Sequence, residues 1–516
     1  MSKPLPNILL ITGDHARADA LSCAEEYRGA PGSLVSQSRT PCLDQLAADG
    51  FRFSHCHTPN PICVPARASI TTGQYPHRCT GKKSNGGRIK EDSPKLAAYL
   101  RERGYFTAAI GKLHYVPYAA PGDILSKLDL ESAELCEEGR IVAQFGGQGE
   151  RKGLEDYHDF LERAGWGGFE RAHGIGNNDV HPSPAPLPAE LHEENWVARR
   201  SLKALERHRA RKDDSRPWFL WASFTKPHPP YDPPSDILSK LDPRDAPVPA
   251  LWGDGDDLFE NRDQELFARR WQFGWERLSV QAVQNLRSHY LALMTFQDLS
   301  IARLIDDLKE AGELENTWII YTSDHGDLLG DFGRFFKSCL YDGAVRAPLV
   351  VRPPASARGQ IGKLGQTLPQ LVGLQDLFPS ICDFAGLPTP PELDGESLLP
   401  LIQSPARPGR SQIVSQTGDA PLQKYMIRDR HWKYIYTEAG GVEELYDVSR
   451  NQPELDNLAG RPEQASRLRQ FREALIDACR RMKDQAMLDG SDLKASARDS
   501  AGKPEFNDAL LGWREY

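Results

Sequence analysis

The chain has 516 residues, a formal charge of −9, and 39% hydrophobic and 26% charged residues. That length supports a large core and more than one domain, and the balance is that of an ordinary soluble protein. No basic run stands out to neutralise a phosphate backbone, which argues against a nucleic-acid partner, although a local cluster of cations could still hold a small anion.

The first element is a strand, Asn7–Ile11. It is too short for a signal-peptide core, and nothing further on reaches the length of a membrane span, so a cytoplasmic protein with no membrane partner is expected. Nine cysteines without paired spacing argue against a disulfide framework. The strand runs out at Thr12-Gly13-Asp14-His15. An apolar strand ending in a carboxylate is how an α/β sheet presents a ligand at its carboxyl edge, while an Asp that only opens a turn is the plainer alternative.

A helix around Leu43–Ala48 comes next, then a strand, Phe51–His57, and a Pro-interrupted loop. Cys63-Val64-Pro65-Ala66-Arg67 follows. Pro65 fits a first helical turn, and Ala66–Thr72 reads as a short helix closed by Gly73. Cys63 then sits at the positive end of a helix with Arg67 one turn further in, an anion pocket with a sulfur at its mouth. Ser93 can cap a helix through Leu96 and Leu100, with Gly104 at its end. The strand Tyr105–Ile110 leads to Gly111-Lys112-Leu113-His114, where alternation puts Lys112 and His114 on one side.

Residues 117–188 read as an irregular, Gly- and Pro-rich insertion facing the substrate. Helical periodicity covers Glu190–Arg209. Pro217–Phe224 is a continuous apolar run suited to a buried strand, and it delivers Thr225-Lys226-Pro227-His228-Pro229. A His between prolines sits on a stiff loop, which suits a proton donor or, more simply, a structural turn. A second insertion, 232–285, precedes a long helix over 283–311. The strand Thr317–Ser323 then ends in Asp324-His325-Gly326-Asp327. Lys337 is followed by Tyr341-Asp342-Gly343-Ala344-Val345-Arg346-Ala347-Pro348 and the strand Leu349–Val351. Beyond a helix over Leu371–Ala385, short strands (411–415, 424–428, 432–437) and an amphipathic helix (463–483) lead to a polar tail.

Cys-x-Pro-x-Arg with its Thr-Gly ending, Gly-Lys-x-His, Pro-His-x-Pro, Asp-His-Gly, and the Lys before Tyr-acid-Gly-x-x-Arg-x-Pro occur in that order. Together they resemble the type I, formylglycine-dependent sulfatases of the alkaline-phosphatase-like superfamily, over about residues 5–480. The resemblance implies an α/β fold, a large mixed sheet flanked by helices with a smaller C-terminal antiparallel-sheet subdomain. Catalytic domain, subdomain and a subunit-contacting arm would span 1–400, 401–484 and 485–516, in a homo-oligomer.

It also implies that a formylglycine-generating enzyme converts Cys63 to formylglycine, whose hydrate attacks a small sulfate monoester to release alcohol and sulfate. One divalent ion, Ca²⁺ or Mn²⁺ with Mg²⁺ possible, would be held by Asp14, Asp324 and His325 with residue 63. His15, standing where relatives carry a second acid or, in phosphonate monoester hydrolases, Gln, would either join them as a ligand or stand behind the ligands. Arg67, Lys112 and Lys337 would surround the sulfuryl oxygens and Lys226 would help bind substrate. His228 would protonate the leaving alcohol and His114 act as base. A phosphonate monoester or phosphodiester hydrolase with the same site is the alternative, and a non-catalytic binding protein on this fold is a third reading.

Overall fold

A computed structural model describes residues 5–115, 124–125, 128–145, 152–211, 214–252, 262, 274–449 and 453–497. Eight strands form the large sheet: β1 Asn7–Gly13, β2 Phe51–His57, β3 Phe106–Gly111, β4 Ser132–Leu135, β5 Trp218–Ser223, β6 Thr317–Ser323, β7 Leu349–Arg352 and β8 Gln366–Gly373. Their order is β4-β3-β5-β1-β6-β7-β2-β8, parallel except for β7, which runs against both β6 and β2. β1, β3, β5 and β6 are buried along their whole length, as strands covered by helices on both faces must be. Two cores line the two faces. One gathers Leu9, Ile11, Leu220 and Tyr321 beneath the helices Glu193–Arg209 and Val280–Glu310. The other gathers Ile8, Leu10, Phe219 and Ile320 beneath the helix Leu377–Phe384.

This topology brings the carboxyl ends of β1, β2, β3, β5 and β6 to one edge. Asp14, Lys112, Lys226 and Asp324 follow at or just beyond four of those ends, and the loop after β2 carries the chain to Cys63. The helix Cys63–Thr72 starts at the cysteine itself, with Ile62 extended before it, and Gly73 closes it at φ 65°. Glycine meets no Cβ penalty there.

Four antiparallel strands, β9 Ile413–Thr417, β10 Lys424–Arg428, β11 Trp432–Thr437 and β12 Val442–Asp447, make the small sheet in the order β12-β11-β10-β9. The helix Ala465–Met482 packs Phe471, Leu475 and Cys479 against it.

Several expectations need correction. The stretch 117–188 is not irregular throughout: Ser132–Leu135 joins the large sheet beside β3, and Asp156–Arg163 is helical. A four-residue strand with one charged position carries too little period for its sequence to reveal it. Leu371 lies inside β8, and the helix begins only at Leu377. The helix expected from Ser93 runs Leu96–Arg101 with Lys95 at its start and no side-chain cap. The tail expected as an arm from 485 is described only to residue 497, and there it folds back, burying Met487 and Leu493 against the small sheet. Among the described residues no helix is long and apolar enough to cross a membrane.

Candidate active site

Cys63 sits at the centre of the sheet's carboxyl edge, buried. Its Sγ lies 3.2 Å from His325 Nε2 and 3.7 Å from Asp14 Oδ1, and its charge acts on the nearby ring of His114. His325 Nε2 stands 3.9 Å from Asp14 Oδ1 and 3.7 Å from Asp324 Oδ1. Donor atoms of Asp14, Cys63, Asp324 and His325 all lie within 4.8 Å of one another, as do those of Asp14, His15, Cys63 and His228. The carboxylate–imidazole separations are too long for hydrogen bonds but match two donors that each stand ~2.1–2.4 Å from a shared divalent ion.

The histidine tautomers agree with that. His325 Nδ1 is 2.9 Å from the Gly326 carbonyl and His15 Nδ1 is 2.7 Å from Asp327 Oδ2. Each Nδ1 therefore carries its hydrogen outward, and each Nε2 is the ring atom turned toward the cluster. His15 Nε2 lies 3.8 Å from Asp14 Oδ1 and in contact with Lys337 Nζ.

Cations close the ring, Arg67 and Lys112 fully buried and Lys337 half-buried. Arg67 Nε donates to Asp324 Oδ2 at 2.9 Å, and its NH2 is 3.4 Å from Asp14 Oδ2. Lys112 Nζ lies 2.5 Å from Asp14 Oδ2 and 2.8 Å from Glu138 Oε2. Lys337 Nζ stands 3.5 Å from His228 Nε2. Burial alone would raise Asp14, yet Lys112 and Arg67 hold its carboxyl far below the usual range. Burial works against His325 too, but Asp324 and the sulfur lift it to about 9. A thiol at this point is pulled well below its ordinary value by Lys337 and His325 despite its burial. The field at residue 63 thus favours negative charge on whatever atom stands there.

The sulfatase family profile matches residues 6–387, and one described as N-sulphoglucosamine sulphohydrolase, C-terminal, matches residues 330–481. The chain belongs to the sulfatase family. It is 28% identical over 489 residues to an arylsulfatase of Clostridium perfringens, covering 91% of this chain and 94% of that protein. It is also 28% identical over 471 residues to a choline-sulfatase of Rhizobium meliloti, covering 90% and 84%. In fold it is similar to a phosphonate monoester hydrolase from Silicibacter pomeroyi, with a TM-score of 0.75 and 23% identity over 96% of this chain and 99% of the other.

Ten of the eleven positions singled out in this sulfatase-family sequence converge: Asp14, His15, Cys63, Arg67, Lys112, His114, His228, Asp324, His325 and Lys337. Lys226 does not. Its fully buried ammonium is taken up by Asp232 at 2.7 Å, Glu193 at 3.0 Å and the Pro230 carbonyl at 3.0 Å. A charge that deep must be paired, and these partners make Lys226 the anchor of the His228 loop instead of a substrate contact.

Three further residues belong to the site and were not singled out. Asp327 holds His15 and also accepts from Tyr231 Oη at 3.0 Å and from the amides of Leu329 and Phe336. Its place three residues after Asp324 was the available signal. Glu137 accepts the backbone N–H groups of Leu113 and His114 at 2.7 and 2.8 Å. Glu138 lies between Lys112 and His228. Nothing in the Glu137-Glu138 pair marks it, because the strand that delivers it was itself invisible in the sequence.

Proposed function

We propose that this protein hydrolyses a sulfate monoester to an alcohol and inorganic sulfate, with residue 63 in formylglycine form as nucleophile and a divalent ion beside it. One observation carries the reading. In a chain of the sulfatase family, the sulfur of Cys63 lies within 4.8 Å of donor atoms from Asp14, Asp324 and His325. Two carboxylates and an imidazole suit Ca²⁺ or Mn²⁺, with His15 Nε2 at the edge of the set. A bound ion would supply Lewis acidity at a sulfuryl oxygen and lower the pKa of the attacking hydroxyl. Formylglycine at 63 would supply a hydrated aldehyde whose hydroxyl attacks sulfur without leaving a stable sulfated Ser or Cys.

The remaining residues divide the labour by charge. Arg67 and Lys112, neutralised in part by Asp14 and Asp324, and Lys337 opposite them, face where the sulfuryl oxygens gather charge. Arg67 also donates to Ser223 Oγ at 2.8 Å, which fixes its plane. His114 lies beside residue 63, where a base is needed to take a proton from its hydroxyl. His228 offers Nε2 toward Lys337 and the ester side.

The test is the mass of the peptide holding residue 63 after expression with a formylglycine-generating enzyme. The reading expects replacement of the thiol by an aldehyde and sulfate release only from the converted fraction. Sulfate release from unconverted protein at the same rate would contradict it.

A further inference from the structure

A further cation reaches the site from outside the family motifs. Arg140 opens the short helix Arg140–Phe145, and its NH2 stands 3.5 Å from His228 Nε2. The Pro229 carbonyl lies 2.6 Å from His228 Nδ1, so Nε2 is the ring atom turned toward Lys337, 3.5 Å away, and the ester side. The guanidinium charge also acts on Lys112 and His114. On its inner edge, NH1 donates to the Glu137 carbonyl at 3.2 Å and to Glu138 Oε2, which also takes Lys112 Nζ at 2.8 Å. The side chains of Lys112 and Glu138 are fully buried, whereas that of Arg140 is 19% exposed. Arg140 is therefore where this buried cluster meets solvent, on the His228 side, where the proposed reaction releases its alcohol.

Two separate segments clamp the turn that launches Arg140. Glu155 Oε1 accepts the N–H of Glu137 at 2.6 Å and of Gly139 at 3.1 Å, and Asn177 Nδ2 donates to the Glu138 carbonyl at 3.0 Å. Arg67, Lys112 and Lys337 already face the sulfuryl oxygens, so a guanidinium on the alcohol side has a different object. Its planar fork of donors matches the two coplanar oxygens of a carboxylate.

We propose that Arg140 is a specificity residue that selects sulfate esters whose alcohol carries a carboxylate within reach of the ester oxygen. This rests on the reading of the site as a sulfate-ester hydrolase and names the class of ester within it. The substrate carboxylate takes the outer edge of the guanidinium while Glu138 keeps the inner edge, so no buried charge loses its partner.

The test uses matured protein and phenyl sulfates bearing a carboxylate at the 3- or the 4-position, each compared with its neutral carboxamide. The carboxamide phenols are the better leaving groups, so a preference for a carboxylate reports binding. The wild type should favour at least one carboxylate by about 10-fold or more in kcat/KM, chiefly through KM. Arg140→Gln should cost that ester about 10-fold more than it costs the carboxamide. Arg140→Lys should recover part of the difference, since it keeps the charge without the fork. Melting curves guard against misfolding, and the wild-type ratio stands as a test even where a variant fails to fold. No preference for either carboxylate in the wild type, or equal losses on carboxylate and carboxamide in Arg140→Gln, would overturn the assignment of Arg140 while leaving the sulfatase reading standing. Absence of sulfate release from every ester by the matured wild type would sink that reading and this inference with it.

Discussion

At the scale of the residue, position 63 and its counter-charges set what the site can do. Cys63→Ser changes a buried atom's size only slightly, so the fold should survive while sulfate release falls at least about 10³-fold, as expected when a nucleophile is lost. Asp324→Asn should remove a ligand as well as the partner of Arg67. The expected result is that Mn²⁺ or Ca²⁺ raises the melting temperature of the wild type and not that of the variant, a readout independent of turnover. Lys226→Met tests the corrected role of that lysine. Leaving Glu193 and Asp232 buried without their cation should cost about 3–5 kcal/mol of stability in urea unfolding, where a mere substrate contact would cost almost none. The convergent residues were legible because each stands in a short motif that resembles the sulfatases, and most of those motifs follow a strand end or open a helix. The sequence did not make Glu138, Asp327 or the burial of Lys226 legible, since those depend on which loops meet across the sheet.

At the scale of the element, two features show how tightly the edge is built. Gly111 ends β3 at φ 103°, and a Cβ there would come within 1.9 Å of the Ser223 carbonyl on β5. Gly111→Ala should cost at least ~1–3 kcal/mol from the backbone alone. It should also weaken substrate binding, because Lys112 follows directly and donates its N–H to that same carbonyl at 2.9 Å.

The second feature is Asp298, on the helix Val280–Glu310, which caps the helix Pro41–Ala48 by accepting from Cys42 and Leu43 at 3.0 and 2.9 Å. Burial pushes its carboxyl up from 3.8 to about 7. The folded state then keeps a proton that the unfolded chain has released. This contribution is complete below about pH 4 and is lost as pH rises through about 7. Urea unfolding should therefore show the wild type losing more stability from pH 5 to pH 8 than Asp298→Asn does. The long helix was readable from its period, within a few residues at its start. The cap was not, because it joins segments about 250 residues apart.

At the scale of the whole molecule, the small sheet is fastened to the segment that delivers Cys63. Ser415 Oγ donates to the Thr58 carbonyl at 2.6 Å, and Gln416 N to the Pro59 carbonyl at 2.9 Å. Lys83 Nζ reaches Gln423 Oε1 at 2.6 Å. The two sheets therefore share the loop that sets Cys63 in place, and their division of the chain is one of architecture more than of independent folding. The individual strands were legible from apolar runs, while the α/β class, the large mixed sheet and the smaller antiparallel one followed from the resemblance of the ordered motifs to the sulfatases. The strand order was not, since it is fixed by contacts remote in sequence.

The central claim is that this whole arrangement serves sulfate-ester cleavage. It is tested most directly by kcat/KM of the matured protein for 4-nitrophenyl sulfate against 4-nitrophenyl phenylphosphonate, measured side by side with one metal at one pH. The account predicts that the sulfate is the better substrate. A preference for the phosphonate by orders of magnitude would contradict it.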